Sequence, residues 1–174
     1  MYSAKLLSQL PSIDHGFCLP MEEAVPADTF YLRQQHSSQV VQMLGNEKSG
    51  EISADAVFTH SPRPVSIITA DCLPILVGST SGGLAAAIHA GWRGLMDGVI
   101  ANSLCAFSMA GITRESLRIA IGPGIMECCY EVPRELTNQL QRTHGRLWWE
   151  TQPPWFDSRP SQNTDSAQAS HGEA

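Results

Sequence analysis

The 174 residues have the length of one ordinary domain, and with 43% of them hydrophobic the chain can bury a core of its own. The 11 Lys and Arg stand against 17 Asp and Glu, a formal net charge of -6, and no Lys/Arg cluster is present that could neutralise a row of phosphates, so no nucleic-acid partner is expected. The N-terminal stretch MYSAKLLSQLPSIDHG has no sustained apolar run or small-residue cleavage site, and no later segment approaches membrane-spanning length; the expectation is a soluble cytoplasmic monomer without membrane contact.

Five cysteines are an odd number in a chain without a secretory signal, so free or metal-bound thiols are expected rather than a disulfide framework. Cys72 and Cys128-Cys129 lie in segments rich in Gly, Pro and His, whereas Cys105 sits in an apolar run and is expected in the core.

In chain order, residues 29 to 33 and 39 to 44 read as two short strands on either side of the polar Gln34-Gln35-His36-Ser37-Ser38, which puts His36 at a strand end or turn. After a loop at 45 to 53, residues 56 to 59 and 65 to 70 read as strands rich in β-branched residues, and 73 to 77 follows almost at once. The run from 65 to 77 is apolar except for Asp71-Cys72 and Pro74, as in one strand buried on both faces and bent at the polar pair. Residues 84 to 89 fit a central strand, with helix as the rival reading. Met96, Ile100, Leu104 and Phe107 then form one apolar helical stripe that ends near Gly111, so Gly91-Trp92-Arg93-Gly94 falls at a strand-to-helix turn. Residues 116 to 121 predict another strand, and 133 to 143 a helix with Pro at its start and Gly145 after its end. The domain is therefore expected to span 1 to 150 as a mixed α and β fold, with a polar, disordered tail at 151 to 174.

A Cys beside an Asp in an apolar strand is either a packing thiol, a ligand or a nucleophile. His89 shifts the balance, because it ends a strand where Gly permits a sharp turn and a new helix offers unpaired N–H groups to an anion. Arg93 near a positive helix end is unfavourable unless an anion or carboxylate is present, which points to an anionic substrate group. His36, Cys72 and His89 together could bind zinc with a fourth position open, the arrangement of catalytic zinc. Asp71 could orient a ligand histidine or simply stabilise a turn. His60, His144 and His171 have no supporting context and read as surface residues.

Gln-Gln-His-Ser at 34 to 37, Ala-Asp-Ala-Val at 54 to 57, Thr-Ala-Asp-Cys-Leu-Pro at 69 to 74, His-Ala-Gly-Trp-Arg-Gly at 89 to 94, and Ile-Gly-Pro-Gly-Ile through Cys-Cys-Tyr-Glu-Val at 121 to 132 together resemble the YfiH-like family, also called laccase-domain or polyphenol-oxidase-like proteins. The likeness runs from about 14 to 145. It implies an α+β fold of layered mixed β-sheets with flanking helices, related to cysteine hydrolases. It also implies that His36, Cys72 and His89 converge as the metal-binding and catalytic set, with Arg93 beside them. The activities it implies are zinc-dependent phosphorolysis of purine nucleosides (adenosine, inosine, methylthioadenosine) and adenosine deamination. Alternatives are a cysteine-type amidase editing peptidoglycan precursors, a copper-dependent polyphenol oxidase, and a non-catalytic metal-binding remnant. Six histidines with no His-x-His pair disfavour multicopper oxidation. Zinc is the expected cofactor, with copper as the alternative, and a purine nucleoside and phosphate are the expected small-molecule partners.

Two departures from the family pattern carry expectations of their own. Between Gly16 and Thr29 the chain lacks a longer segment with a Thr-Arg-x-Gly-Gly-Val-Ser type motif, which puts the substrate pocket in doubt. The C-terminal strands are replaced by the polar tail, as truncation or a shifted reading frame would produce, and their loss is expected to expose a sheet edge.

Overall fold

The computed structural model describes residues 1–18, 25–81, 83–126 and 129–149. The chain divides into two compact units, Met1–Ile125 and Met126–Ala174.

The first unit is built on a five-stranded mixed sheet. Its strands are β2 (Val40–Met43), β3 (Ala56–Thr59), β5 (Leu73–Ser79), β6 (Ala85–Ala90) and β7 (Leu117–Ile121), in the order β2-β3-β6-β5-β7; β1 (Phe30–Tyr31) and β4 (Val65–Ser66) form a separate parallel pair. β2 and β3 are parallel and the remaining pairings of the large sheet antiparallel. β6 lies at the centre, and its run of alanines brings small side chains between neighbours on both sides; all of its residues from Ala86 to Ala90 are buried.

Both faces of the sheet are covered. One face, through Phe58, Ile75, Val77, Ala86 and Ile88, packs on Val99 and Phe107 of helix α2 (Val99–Met109), with the Phe58 and Phe107 rings edge-to-face at 5.3 Å. The other face, through Met43, Val57 and Ala87, packs on Phe30 and Leu32 of the small parallel layer. The N-terminal segment adds Leu7 and Leu10 against Ala120 of β7.

Several elements differ from their sequence expectations, each for a local reason. The single strand expected over 65 to 77 is two strands in different sheets, because Val65–Ser66 pairs with β1 while Leu73–Ser79 joins the large sheet, and the six residues between them carry the chain from one to the other. The helix expected over 96 to 107 is two helices, α1 (Trp92–Met96) and α2, separated at Gly98, whose φ of 87° is left-handed. The fully buried positions of α2 are Val99, Ser103 and the expected Phe107, with the expected Ile100 and Leu104 partly buried against the same core; Ser103 satisfies its hydroxyl on the Val99 carbonyl at 2.7 Å. Cys105 is consequently exposed rather than in the core, since two residues on from Ser103 lies the opposite side of the helix.

The second unit carries helix α3 (Arg134–Trp149). It runs through Gly145 instead of ending before it, in keeping with apolar residues at helical spacing at 136, 140 and 147; one internal Gly costs only about 1 kcal/mol. The tail expected at 151 to 174 lies outside the described residues. Among the described residues no helix is long and apolar enough to cross a membrane.

Candidate functional site

The sheet register dictates which residues meet. In the β3–β6 pair Ala56 stands opposite Ile88, so one step further Asp55 faces His89, whose backbone N–H donates to the Asp55 carbonyl at 2.7 Å. Cross-strand neighbours share a face. Their side chains accordingly meet: His89 Nδ1 lies 2.8 Å from Asp55 Oδ1, with both residues buried. On the other side of β6, Leu73 stands opposite Ala90, and the next step brings Cys72 beside Gly91.

His36 arrives on the turn before β2, with a left-handed φ of 56° that a residue bearing a Cβ adopts at a cost of about 1–2 kcal/mol. The Asp55 carboxylate holds it there. It accepts the N–H of Gln35 at 3.2 Å, of His36 at 2.9 Å and of Ser37 at 2.6 Å, together with the Ser37 hydroxyl at 2.6 Å. Two glycines make room for the turn. A Cβ on Gly91 would stand 2.6 Å from His36 Nδ1 and 3.2 Å from Cys72 Sγ, and one on Gly94 would stand 2.7 Å from the Ser37 carbonyl oxygen. The Asn102 side chain donates to the Ser38 carbonyl at 3.0 Å, tying α2 to the same turn. Gln34 fastens the segment leading to Cys72: its side-chain amide donates to the Ile68 carbonyl and accepts the Ile68 N–H, each at 2.7 Å.

These ties bring His36, Cys72 and His89 together, with one ligand atom from each lying within 4.8 Å of the others. Cys72 Sγ is 4.0 Å from His36 Nδ1, and the two imidazoles meet edge-to-face at 4.7 Å. His89 is buried, Cys72 half-buried and His36 exposed, so the cluster opens toward solvent on the His36 side. No second cluster of this kind occurs among the described residues.

The electrostatics favour a cation at this place. Burial pushes the Cys72 thiol up, and the carboxylates of Asp71 and Asp55 push it the same way. Burial alone would raise the Asp55 carboxyl too, but the hydrogen bonds from the Ser37 hydroxyl, from His89 and from the backbone outweigh it and hold Asp55 below the usual carboxylate range. A charged Asp55 takes the His89 Nδ1 proton in a hydrogen bond and leaves the other ring nitrogen for a ligand. One sulfur and two imidazole nitrogens are donors that suit zinc, and copper as well.

Arg93 is exposed on α1, its guanidinium stacked over the Trp92 ring at 4.4 Å. It is not one of the clustered donors. His60 is exposed, as expected; the His144 side chain, His171 and Cys128 lie outside the described residues. The residue that sequence reasoning passed over is Asp55. Asp71 drew attention because it adjoins Cys72, yet Asp71 is exposed and the carboxylate that orients a histidine belongs to Asp55. The available signal was an acid inside the apolar run Ala54-Asp55-Ala56-Val57, where only a satisfied carboxylate is tolerated.

A family model described as multi-copper polyphenol oxidoreductase laccase matches residues 19–165. The chain belongs to this laccase family. Its relatives include a purine nucleoside phosphorylase of Haemophilus influenzae, 40% identical over 62% of this chain and 43% of that protein. An adenosine deaminase RL5 from an unknown prokaryotic organism is 28% identical over 78% of this chain and 55% of its own length. Among solved structures, the Bacillus licheniformis protein YfiH superposes with a TM-score of 0.64 at 21% identity, covering 72% of this chain and 50% of that one. The Neisseria meningitidis protein NMB0706 gives a TM-score of 0.58 at 31% identity, over 67% and 47%. The laccase-family chain thus spans about half the length of the relatives it matches.

Proposed function

We propose that this chain is a metal-dependent enzyme of purine nucleosides, with zinc held by His36, Cys72 and His89 and copper as the competing ion. The observation that carries the reading is the convergence of one thiol and two imidazoles within 4.8 Å, one imidazole being fixed by a buried carboxylate. Three protein ligands leave a fourth position, as catalytic zinc requires and structural zinc does not. The relatives named purine nucleoside phosphorylase and adenosine deaminase supply the substrate class, purine nucleosides, with adenosine among them.

Bound zinc supplies Lewis-acid chemistry at neutral pH. The chain's own residues do the remainder. Asp55 keeps the His89 proton on Nδ1; the exposed His36 marks the side from which substrate enters. Arg93 offers a guanidinium stiffened by Trp92, with paired donors suited to inorganic phosphate. A cysteine hydrolase would instead need a ready thiolate at Cys72, and the half-buried, acid-flanked surroundings of that thiol work against one.

Metal analysis of the purified protein, beside adenosine turnover with and without phosphate, tests the proposal. We expect close to one zinc per chain. Phosphate-dependent release of adenine would mark phosphorolysis, and release of inosine and ammonia deamination. Cys72→Ala should lose both metal and turnover. Arg93→Ala should keep the metal and raise the KM for phosphate by roughly 10-fold or more, the scale of a charge-assisted hydrogen bond. Bound zinc without turnover of nucleosides overturns the enzyme reading, and stoichiometric copper with phenol oxidation overturns the zinc assignment.

A further inference from the structure

Asp55 is joined at once to two of the three clustered residues, although they come from separate segments. Its carboxylate has no exposed surface and accepts from five donors: the N–H groups of Gln35, His36 and Ser37, the Ser37 hydroxyl, and His89 Nδ1. In this turn the three consecutive backbone N–H groups converge on one anion with His36 turned left-handed between its neighbours. A chain that lost the anion would have three inward N–H groups without acceptors and a strained residue with nothing to hold it. The same carboxylate orients the His89 ring. None of these bonds involves a metal.

We infer that Asp55 is a positioning residue that assembles the His36–His89 half of the site before any ion arrives, setting the left-handed turn at His36 and the Nδ1–H form of His89 together. The consequence for ion affinity rests on the metal reading above; the assembly itself does not. A neutral amide at position 55 could accept through one atom only and would present two donors to the turn, so Asp55→Asn removes the convergence while nearly preserving volume.

The experiment uses the full-length metal-free chain. Amide hydrogen exchange should show Gln35, His36 and Ser37 protected by about 10-fold or more over an unstructured chain, as expected for hydrogen-bonded amides. In Asp55→Asn that protection should vanish while the amides of β5 and β6 keep theirs. Imidazole ¹⁵N spectra of the wild type, recorded at about pH 8 where an ordinary histidine is neutral, should show the His89 proton on Nδ1. Ser37→Ala, which removes one donor and leaves His89 bonded, should weaken protection of the turn without altering the His89 spectrum; it serves if Asp55→Asn does not fold. Zinc affinity by chelator competition should fall by roughly 10- to 100-fold in Asp55→Asn, the usual effect of losing a residue that orients a ligand. Turn amides that exchange freely in the metal-free wild type, or a His89 proton on Nε2, overturn the inference. A wild type that shows both signatures but takes up neither zinc nor copper supports the assembly role and overturns the metal reading instead.

Discussion

Gly91 controls the site through what it lacks. Its missing Cβ is the space in which His36 and Cys72 approach, with 2.6 Å and 3.2 Å separating them from where a methyl group would stand. Gly91→Ala should therefore displace the imidazole or the thiol and lower metal affinity by roughly 10-fold or more, an effect on the scale of disturbing a ligand's support. Circular dichroism should stay unchanged, because the methyl group meets the ends of two side chains rather than backbone. Glu47 holds the loop after β2 by a different device, its carboxylate accepting the N–H groups of Leu44 and Gly45, each at 2.9 Å. Those bonds hold its pKa below the ordinary value. A depressed pKa means that the stabilising contribution is complete above the unfolded-state pKa, near 4.3, and is lost as pH falls through the lower folded value. Amide chemical shifts of Leu44 and Gly45 followed in an acid titration should accordingly move together, with a midpoint below that of an ordinary glutamate. At this scale Cys72 and His89 stood out because each interrupts or ends an apolar run, whereas His36, in the polar Gln34-Gln35-His36-Ser37-Ser38, drew its weight only from the company of the other two. Asp55 was not, because its importance lies in the register of β3 against β6, which no local pattern encodes.

The central strands could be read directly from the chain. β3 and β6 lie within a residue of their expected bounds; the β-branched and aromatic run decided β3, whereas the alanines of β6 left helix open as a rival until its pairing with β3 and β5 is seen. α2 was harder. Its fully buried positions include Val99 and Ser103 beside the expected apolar stripe, and Ser103 looks polar in sequence while its hydroxyl is satisfied within the helix. Phe107 anchors that helix against Phe58 and is 1% exposed. Phe107→Ala should cost about 3–5 kcal/mol by urea denaturation, the range for deleting a buried aromatic ring. The layer order also escaped the sequence. Nothing between Val65 and Val77 announces that its first residues pair with Phe30–Tyr31 and its last with β6.

Across the whole first unit, the large sheet ends on one side at β7, and no described strand pairs beyond it. Ile119 and Ile121 of that strand are 47% and 63% exposed. An open edge with apolar side chains invites pairing with another chain, and a lysine on an edge strand opposes it. Ile121→Lys should raise the concentration at which light scattering grows on heating, with little change in the melting temperature; equal scattering from both proteins would show that this edge is not the route. That β7 is an edge strand follows from the strand order, which no local pattern of the chain encodes.

Residues 36, 55, 72 and 89 acquire their mutual distances only once β3, β5 and β6 have aligned. Contacts so widely separated along a polymer close late, since each demands that a long loop be drawn in. An ion captured there thus counts completed molecules: the fraction of chains carrying one cannot exceed the fraction whose central strands have already found their partners.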